Sequence, residues 1–183
     1  ENILANKIAE LTETVHMMNT ENLEKILCLL ENARMVQLAA VGNTIPVALD
    51  GAFKLNQLGI AAVAGTIWES QAAYTFNLGP EDVVIIISNS GSSKRLELLA
   101  QGAKENGAAT ILITNNPASP LASICDYKLV TATREKLLTE EFWFSRVSAT
   151  AVIEILYLLL MSGKEGSLEH IRRHERALSP DKR

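Results

Sequence analysis

Six small polar residues in a row, Ser88-Asn89-Ser90-Gly91-Ser92-Ser93, follow five β-branched apolar ones, Val83-Val84-Ile85-Ile86-Ile87. Four hydroxyls and a side-chain amide make this turn rich in hydrogen-bond donors, and the glycine lets backbone approach a ligand closely. The stretch from Lys94 to Asn106 then has helical spacing. A donor-rich turn leading into a helix N-terminus suits an anion, because free N–H groups and the positive end of the helix dipole point outward there. The same residues could serve simply as a polar turn and helix cap. No lysine lies inside the turn and G-x-x-x-x-G-K-[ST] is absent, which excludes a P-loop.

A second small polar turn, Gly42-Asn43-Thr44, follows an apolar run from Met35 to Val41. A dinucleotide fold would need G-x-G-x-x-G there and an acidic residue closing the next strand. The sequence has Gly42-Asn43-Thr44-Ile45-Pro46-Val47 and later Gly65-Thr66, so both marks fail. His170 and His174 are spaced to share one helix face, but Arg172, Arg173 and Arg176 crowd the same segment and would repel a cation. A solvated basic tail helix is expected, and no metal and no cofactor. Lys94 and Arg95 follow the serine-rich turn but oppose the helix dipole, so exposure is expected of them. Trp68 could stack on a sugar, although a lone aromatic after a strand more often packs in a core.

The elements that must hold these turns are legible in order. Ile3, Leu4, Ile8, Leu11, Val15 and Met18 mark one face of an amphipathic helix, and Leu23, Ile26, Leu27 and Leu30 mark a second. Strands are predicted at 35–41, 60–64, 83–87, 109–114 and 127–131. Helices are predicted between them, with Pro46 and Pro120 in first turns and Gly59 and Gly107 as stops. A long helix is predicted over 140–162 and a tail helix over 167–177. Strand and helix in alternation imply an α/β fold, a three-layer αβα sandwich around a five-stranded parallel sheet. Right-handed crossovers and the order 2-1-3-4-5 would put the loops after strands one and three side by side at one crevice.

The 183 residues suit one domain over 1–183, with N-terminal helices to residue 33, an αβα core over 34–162 and a tail from 163. A net charge of −4 and a pI near 5.5 argue against a nucleic-acid-binding surface. Cys28 and Cys125 are far apart with no C-x-x-C, which reads as two buried thiols in a reducing cytoplasm. The apolar run Val147 to Met161 contains Ser148, Thr150 and Glu154 and falls short of the ~20 residues a bilayer span needs, so no membrane is expected. It reads as a helix buried nearly all round, in a core or at a subunit interface. The chain starts at Glu1 rather than Met, which fits a piece of a longer protein.

The turn Ser88 to Ser93 is similar to the S-x-S-G-x-[ST] loop of SIS (sugar isomerase) domains, and Gly42 matches that family's G-x-[GS] turn. The two leading helices, the run Thr110 to Ser119 followed by Pro120-Leu121, and Phe144-Ser145-Arg146 resemble the ligand-binding half of RpiR/MurR-type transcription regulators. The resemblance implies a flavodoxin-like SIS fold with extra N-terminal helices. It implies a domain sensing a phosphorylated sugar or amino sugar, with DNA bound by a separate N-terminal helix-turn-helix domain. By position, Ser88, Ser90 and Ser93 would bond the phosphate, Asn89 would shape the loop and Gly91 would admit backbone. Gly42 and Asn43 would form the facing turn, and Thr44 would add a hydroxyl to the site from that turn. A homodimer or higher homo-oligomer is expected through the 140–162 helix.

The resemblance also keeps an enzyme in view. SIS isomerases place a glutamate near the position of Glu135 as the base that moves a proton between sugar carbons, a role that needs a carboxylate tuned by partial burial. Glu135 would be catalytic in a sugar-phosphate isomerase and a hydroxyl acceptor in a sensor. A histidine near the C-terminus, here His170, reaches a neighbouring subunit's site in some SIS isomerases.

Overall fold

The computed structural model describes residues 2–134, 145–163 and 166–178. Five parallel strands form one sheet: β1 (Met35–Ala40), β2 (Ala62–Ala64), β3 (Asp82–Ile87), β4 (Ala109–Thr114) and β5 (Tyr127–Val130). Their order is β2-β1-β3-β4-β5, as the alternation of elements implied. The helices are α1 (Ile3–His16), α2 (Thr20–Asn32), α3 (Ile45–Gln57), α4 (Trp68–Phe76), α5 (Lys94–Glu105), α6 (Pro120–Ile124), α7 (Val147–Gly163) and α8 (Ser167–Leu178).

The apolar run of β3 is central because it can be buried on both faces, and every residue of the strand is buried. Its side chains alternate between two cores. Ile85 and Ile87 join Ile26, Leu30, Leu38, Val152 and Leu156, under α2, α3 and α7. Val84 and Ile86 join Leu96, Leu99, Leu112 and Leu121, under α5 and α6. Trp68 packs against the second core at its edge.

Two expectations meet a different arrangement. The apolar stripe of α1 faces outward: Ile3 and Ile8 are 74% and 56% exposed, whereas Glu10 is 1% exposed. The buried face is polar because it is fully bonded. Glu10 accepts from the Arg134 N–H at 2.6 Å and from Lys7 at 2.9 Å, and the Thr14 hydroxyl accepts from the Ala132 N–H at 3.0 Å. Hydrogen bonding to the chain leaving β5 thus outweighs periodicity in deciding which face docks.

The helix expected over 140–162 is described from Val147, and 135–144 lie outside the described residues. Among the described residues of a single chain it is buried on one side, so the remaining burial expected of it would come from a subunit interface. Ala149, Val152, Ile153, Leu156 and Leu160 are buried, but Val147, Leu158 and Leu159 are exposed. Cys28 is exposed on α2, and only Cys125 of the two thiols is buried. Among the described residues no single helix is long and apolar enough to cross a membrane.

Candidate functional site

The last residues of β1 and β3, Ala40 and Ile87, are paired in register. The chain leaves both strands on the same side, so the two small polar turns start next to one another at the carboxyl rim of the sheet. The first is a single 3-10 turn, Gly42–Thr44, running directly into α3. Gly42 has φ +59°, and among the described residues a Cβ built on it would meet nothing within 4 Å. The Thr44 hydroxyl is turned inward: it donates to the Ile87 carbonyl at 2.9 Å, with the Val41 carbonyl at 3.2 Å. Thr44 therefore spends its proton joining the two turns.

In the second turn three hydroxyls are held as acceptors, while Ser92 Oγ donates to the Ser90 carbonyl at 3.3 Å. Ser88 Oγ accepts from the Gly91 N–H at 3.2 Å, Ser90 Oγ from the Ser92 N–H at 3.4 Å and Ser93 Oγ from the Leu96 N–H at 3.5 Å, the last capping α5. A hydroxyl that accepts still carries a proton to donate. Such oriented donors at the head of α5 can bind an anion. Gly91 has φ +66°, and a Cβ there would lie 2.0 Å from Ser119 Oγ. Only glycine fits, because the turn is pressed onto the cap of α6.

The loop after β4 supplies that support, and sequence reasoning missed its part. Thr114 Oγ1 and the Asn115 N–H donate to the Asn89 carbonyl at 3.0 and 3.2 Å. Asn116 Nδ2 donates to the Ser90 carbonyl at 3.3 Å, and the Leu121 N–H to the Gly91 carbonyl at 3.1 Å. Asn115 Oδ1 is buried without a hydrogen-bond partner among the described residues. The polar run Asn115-Asn116-Pro117 was visible as a loop, but its contact with the serine turn comes only from the pairing of β3 with β4.

The segment opening α7 closes the group. Asn89 Nδ2 donates to the Ser145 carbonyl at 3.3 Å, and Arg146 Nη1 reaches the Asn43 carbonyl at 3.5 Å. The structure thus brings Gly42, Asn43, Thr44, Ser88, Asn89, Ser90, Gly91 and Ser93 to one rim. Glu135 lies outside the described residues. Lys94 is exposed and paired with Glu97 at 2.9 Å, and the Arg95 guanidinium lies 5.7 Å from the Trp68 ring centre.

The two tail histidines sit elsewhere. α8 packs on α3, with the His170 ring against Gly59 and the His174 ring edge-on to Phe53 at 5.6 Å. Both lie along α3 away from Gly42, Phe53 about 12 Å down the helix and Gly59 just past its end. The tail helix is thus docked through Ile171, which packs on the first core, and the His174 ring, while His170, Arg172, Arg173 and Arg176 stay exposed. Among the described residues no three His, Cys, Asp or Glu side chains come together as a metal site.

The chain is similar to known proteins throughout this region. It is 32% identical over 151 residues to an uncharacterized HTH-type transcriptional regulator of Caldanaerobacter subterraneus, an alignment covering 82% of this chain and 54% of that protein. The chain thus spans about half the length of that relative. Among solved structures, the sugar isomerase domain of an RpiR transcription factor from Sphaerobacter thermophilus superposes with a TM-score of 0.84 at 28% identity, covering 95% of this chain and 96% of that one. The Vibrio vulnificus NanR protein complexed with ManNAc-6P shares the fold with a TM-score of 0.89 at 22% identity, covering 97% of this chain and 67% of that one. The SIS domain model matches residues 29–159, from α2 through both turns and into α7. The chain belongs to the SIS domain family.

Proposed function

We propose that this chain is the effector-binding domain of a bacterial HTH-type transcription regulator and that its effector is a phosphorylated sugar or amino sugar. The observation that carries this reading is the junction of the two turns through Thr44 and Ile87. It ties the turn carrying Gly42 to the strand end that leads into Ser88, Ser90 and Ser93, which supports the two turns acting as one site. The similarity to HTH-type regulators and to the RpiR domain supports the regulatory half, and the ligand in the NanR complex supports the sugar-phosphate half. A regulator of this kind works in the cytoplasm and meets DNA through a separate domain.

A second copy of the chain is the expected partner. The exposed Leu158 and Leu159 of α7, and Ile3, Leu4, Ile8 and Val15 of α1, leave apolar surface on two helices that pack together. Such surface is costly to leave in water. Closure around a ligand would then alter subunit orientation.

Calorimetry with a panel of hexose and hexosamine 6-phosphates tests the reading. At least one should bind, and Ser90→Ala should weaken it by about tenfold, the cost of losing a hydrogen bond to a charged group. Silence from the whole panel would overturn it. Turnover of an aldose or ketose phosphate, abolished by Glu135→Gln, would make the protein an isomerase instead.

A further inference from the structure

A phosphate dianion gripped only by hydroxyls and backbone N–H groups would keep its charge unbalanced, and the turn from Ser88 to Ser93 holds no cation. The two basic residues that follow it are engaged elsewhere, Lys94 with Glu97 and Arg95 over the Trp68 ring. Arg146 comes from the distant end of the chain. Its Nη1 lies 3.5 Å from the Asn43 carbonyl in the first turn, and its neighbour Ser145 accepts from Asn89 in the second at 3.3 Å. The segment opening α7 therefore touches both turns and sets a guanidinium at their rim. The bond to Asn43 is at the long limit for a hydrogen bond and uses one of five N–H donors, so it costs little to exchange. Arg146 is exposed, and no carboxylate of the described residues forms an ion pair with it.

We propose that Arg146 is the charge-balancing residue of the effector site: its guanidinium leaves the Asn43 carbonyl and takes two oxygens of the ligand's phosphate. A planar fork with parallel N–H groups matches a phosphate edge better than an ammonium does. The Arg146 carbonyl also accepts the Thr150 N–H at 2.8 Å, which begins the hydrogen-bond ladder of α7. A pull on the guanidinium is thus a pull on the helix that exposes Leu158 and Leu159. The identity of the ligand as a sugar phosphate rests on the sensor reading above; the anion-binding role of Arg146 does not.

Titration with inorganic phosphate and with a hexosamine 6-phosphate, followed by calorimetry, tests this. Wild type should bind both, and affinity should fall with salt. Arg146→Gln should weaken both by about tenfold or more, the range for hydrogen bonds to a charged group, and flatten the salt dependence. Arg146→Lys should recover part of the loss, and both variants should show the thermal midpoint of wild type, which separates lost binding from a folding defect. Absence of phosphate binding in wild type, or wild-type affinity in Arg146→Gln, overturns the proposal. If Ser90→Ala weakens the sugar phosphate and Arg146→Gln does not, the sensor reading stands and Arg146 is excluded. If Arg146 governs phosphate binding but no sugar phosphate binds, the reverse holds.

Discussion

The Thr44 hydroxyl donates to the Ile87 carbonyl across 2.9 Å and so fastens the turn after β1 to the last residue of β3. Both groups are buried, and the bond joins residues 43 positions apart in the chain. Thr44→Val keeps the shape and removes the donor. It should cost about 1–2 kcal/mol in chemical denaturation, because a buried carbonyl loses a partner. Thr44→Ser should lose less. If the valine variant binds a sugar phosphate as tightly as wild type, the bond is structural only and does not set the spacing of the site.

Gly91 faces a harder limit. Its φ of +66° disfavours any side chain, and an added Cβ would lie 2.0 Å from Ser119 Oγ and 2.4 Å from Ser119 Cβ. Gly91→Ala should destabilise the fold by about 2–4 kcal/mol, combining backbone strain with overpacking. Adding Ser119→Gly removes the clash but also the α6 cap, in which Ser119 Oγ accepts from the Ala122 N–H at 3.2 Å. The double variant should therefore lose less than the two single losses added together. Strict additivity would mean that the two residues do not press on each other.

Glu10 is a buried carboxylate whose removal strands the Arg134 N–H. Glu10→Ala should cost about 1–2 kcal/mol, because the Arg134 N–H it releases is only partly buried and water can replace part of the bond. Amide exchange at Ala132 and Arg134 should accelerate more than exchange in β3. The Arg134 side chain also pairs with Glu13, so α1 grips this segment twice. If protection at 132 and 134 is unchanged, α1 does not hold the exit from β5.

Asp126 links β4 to the turn before β5. It accepts from the Thr110 N–H at 2.9 Å, the Thr110 hydroxyl at 2.8 Å and the Lys104 ammonium at 2.8 Å. Burial pushes its carboxyl up, but the bonds from Lys104 and Thr110 more than offset this, and it ends below its ordinary 3.8. The fold thus favours the carboxylate. Its contribution is complete above the ordinary value and is lost as pH falls through the lowered one. Asp126→Asn should cost about 1 kcal/mol at neutral pH, given partial solvent screening, and the gap to wild type should close in acid. A gap that widens below the ordinary value would contradict this sign.

Much of the fold was legible residue by residue. The unbroken β-branched run of β3 can satisfy water exclusion only in the middle of a parallel sheet, so its place followed from composition. Pro46, Gly59, Gly107 and Pro120 punctuate the helices through backbone restrictions that act locally. The face of α1 was not legible. Its apolar spacing marks a helix equally well whichever side docks, and the choice fell to bonds between Glu10, Thr14 and backbone more than 115 residues away.

By itself the sequence determined the α/β class and the two donor-rich turns, because each depends on local pattern. The expected order 2-1-3-4-5 was one of the orders that right-handed connections allow, and the strand pairing selected it. Only the tertiary structure decided what surrounds those turns: Thr44 tied to Ile87, Ser119 pressed on Gly91, Asn115 and Asn116 beneath the serines, and Arg146 at the rim. Those contacts join segments far apart in the chain. Their partners are fixed by strand pairing and core packing, which no spacing within a single segment encodes.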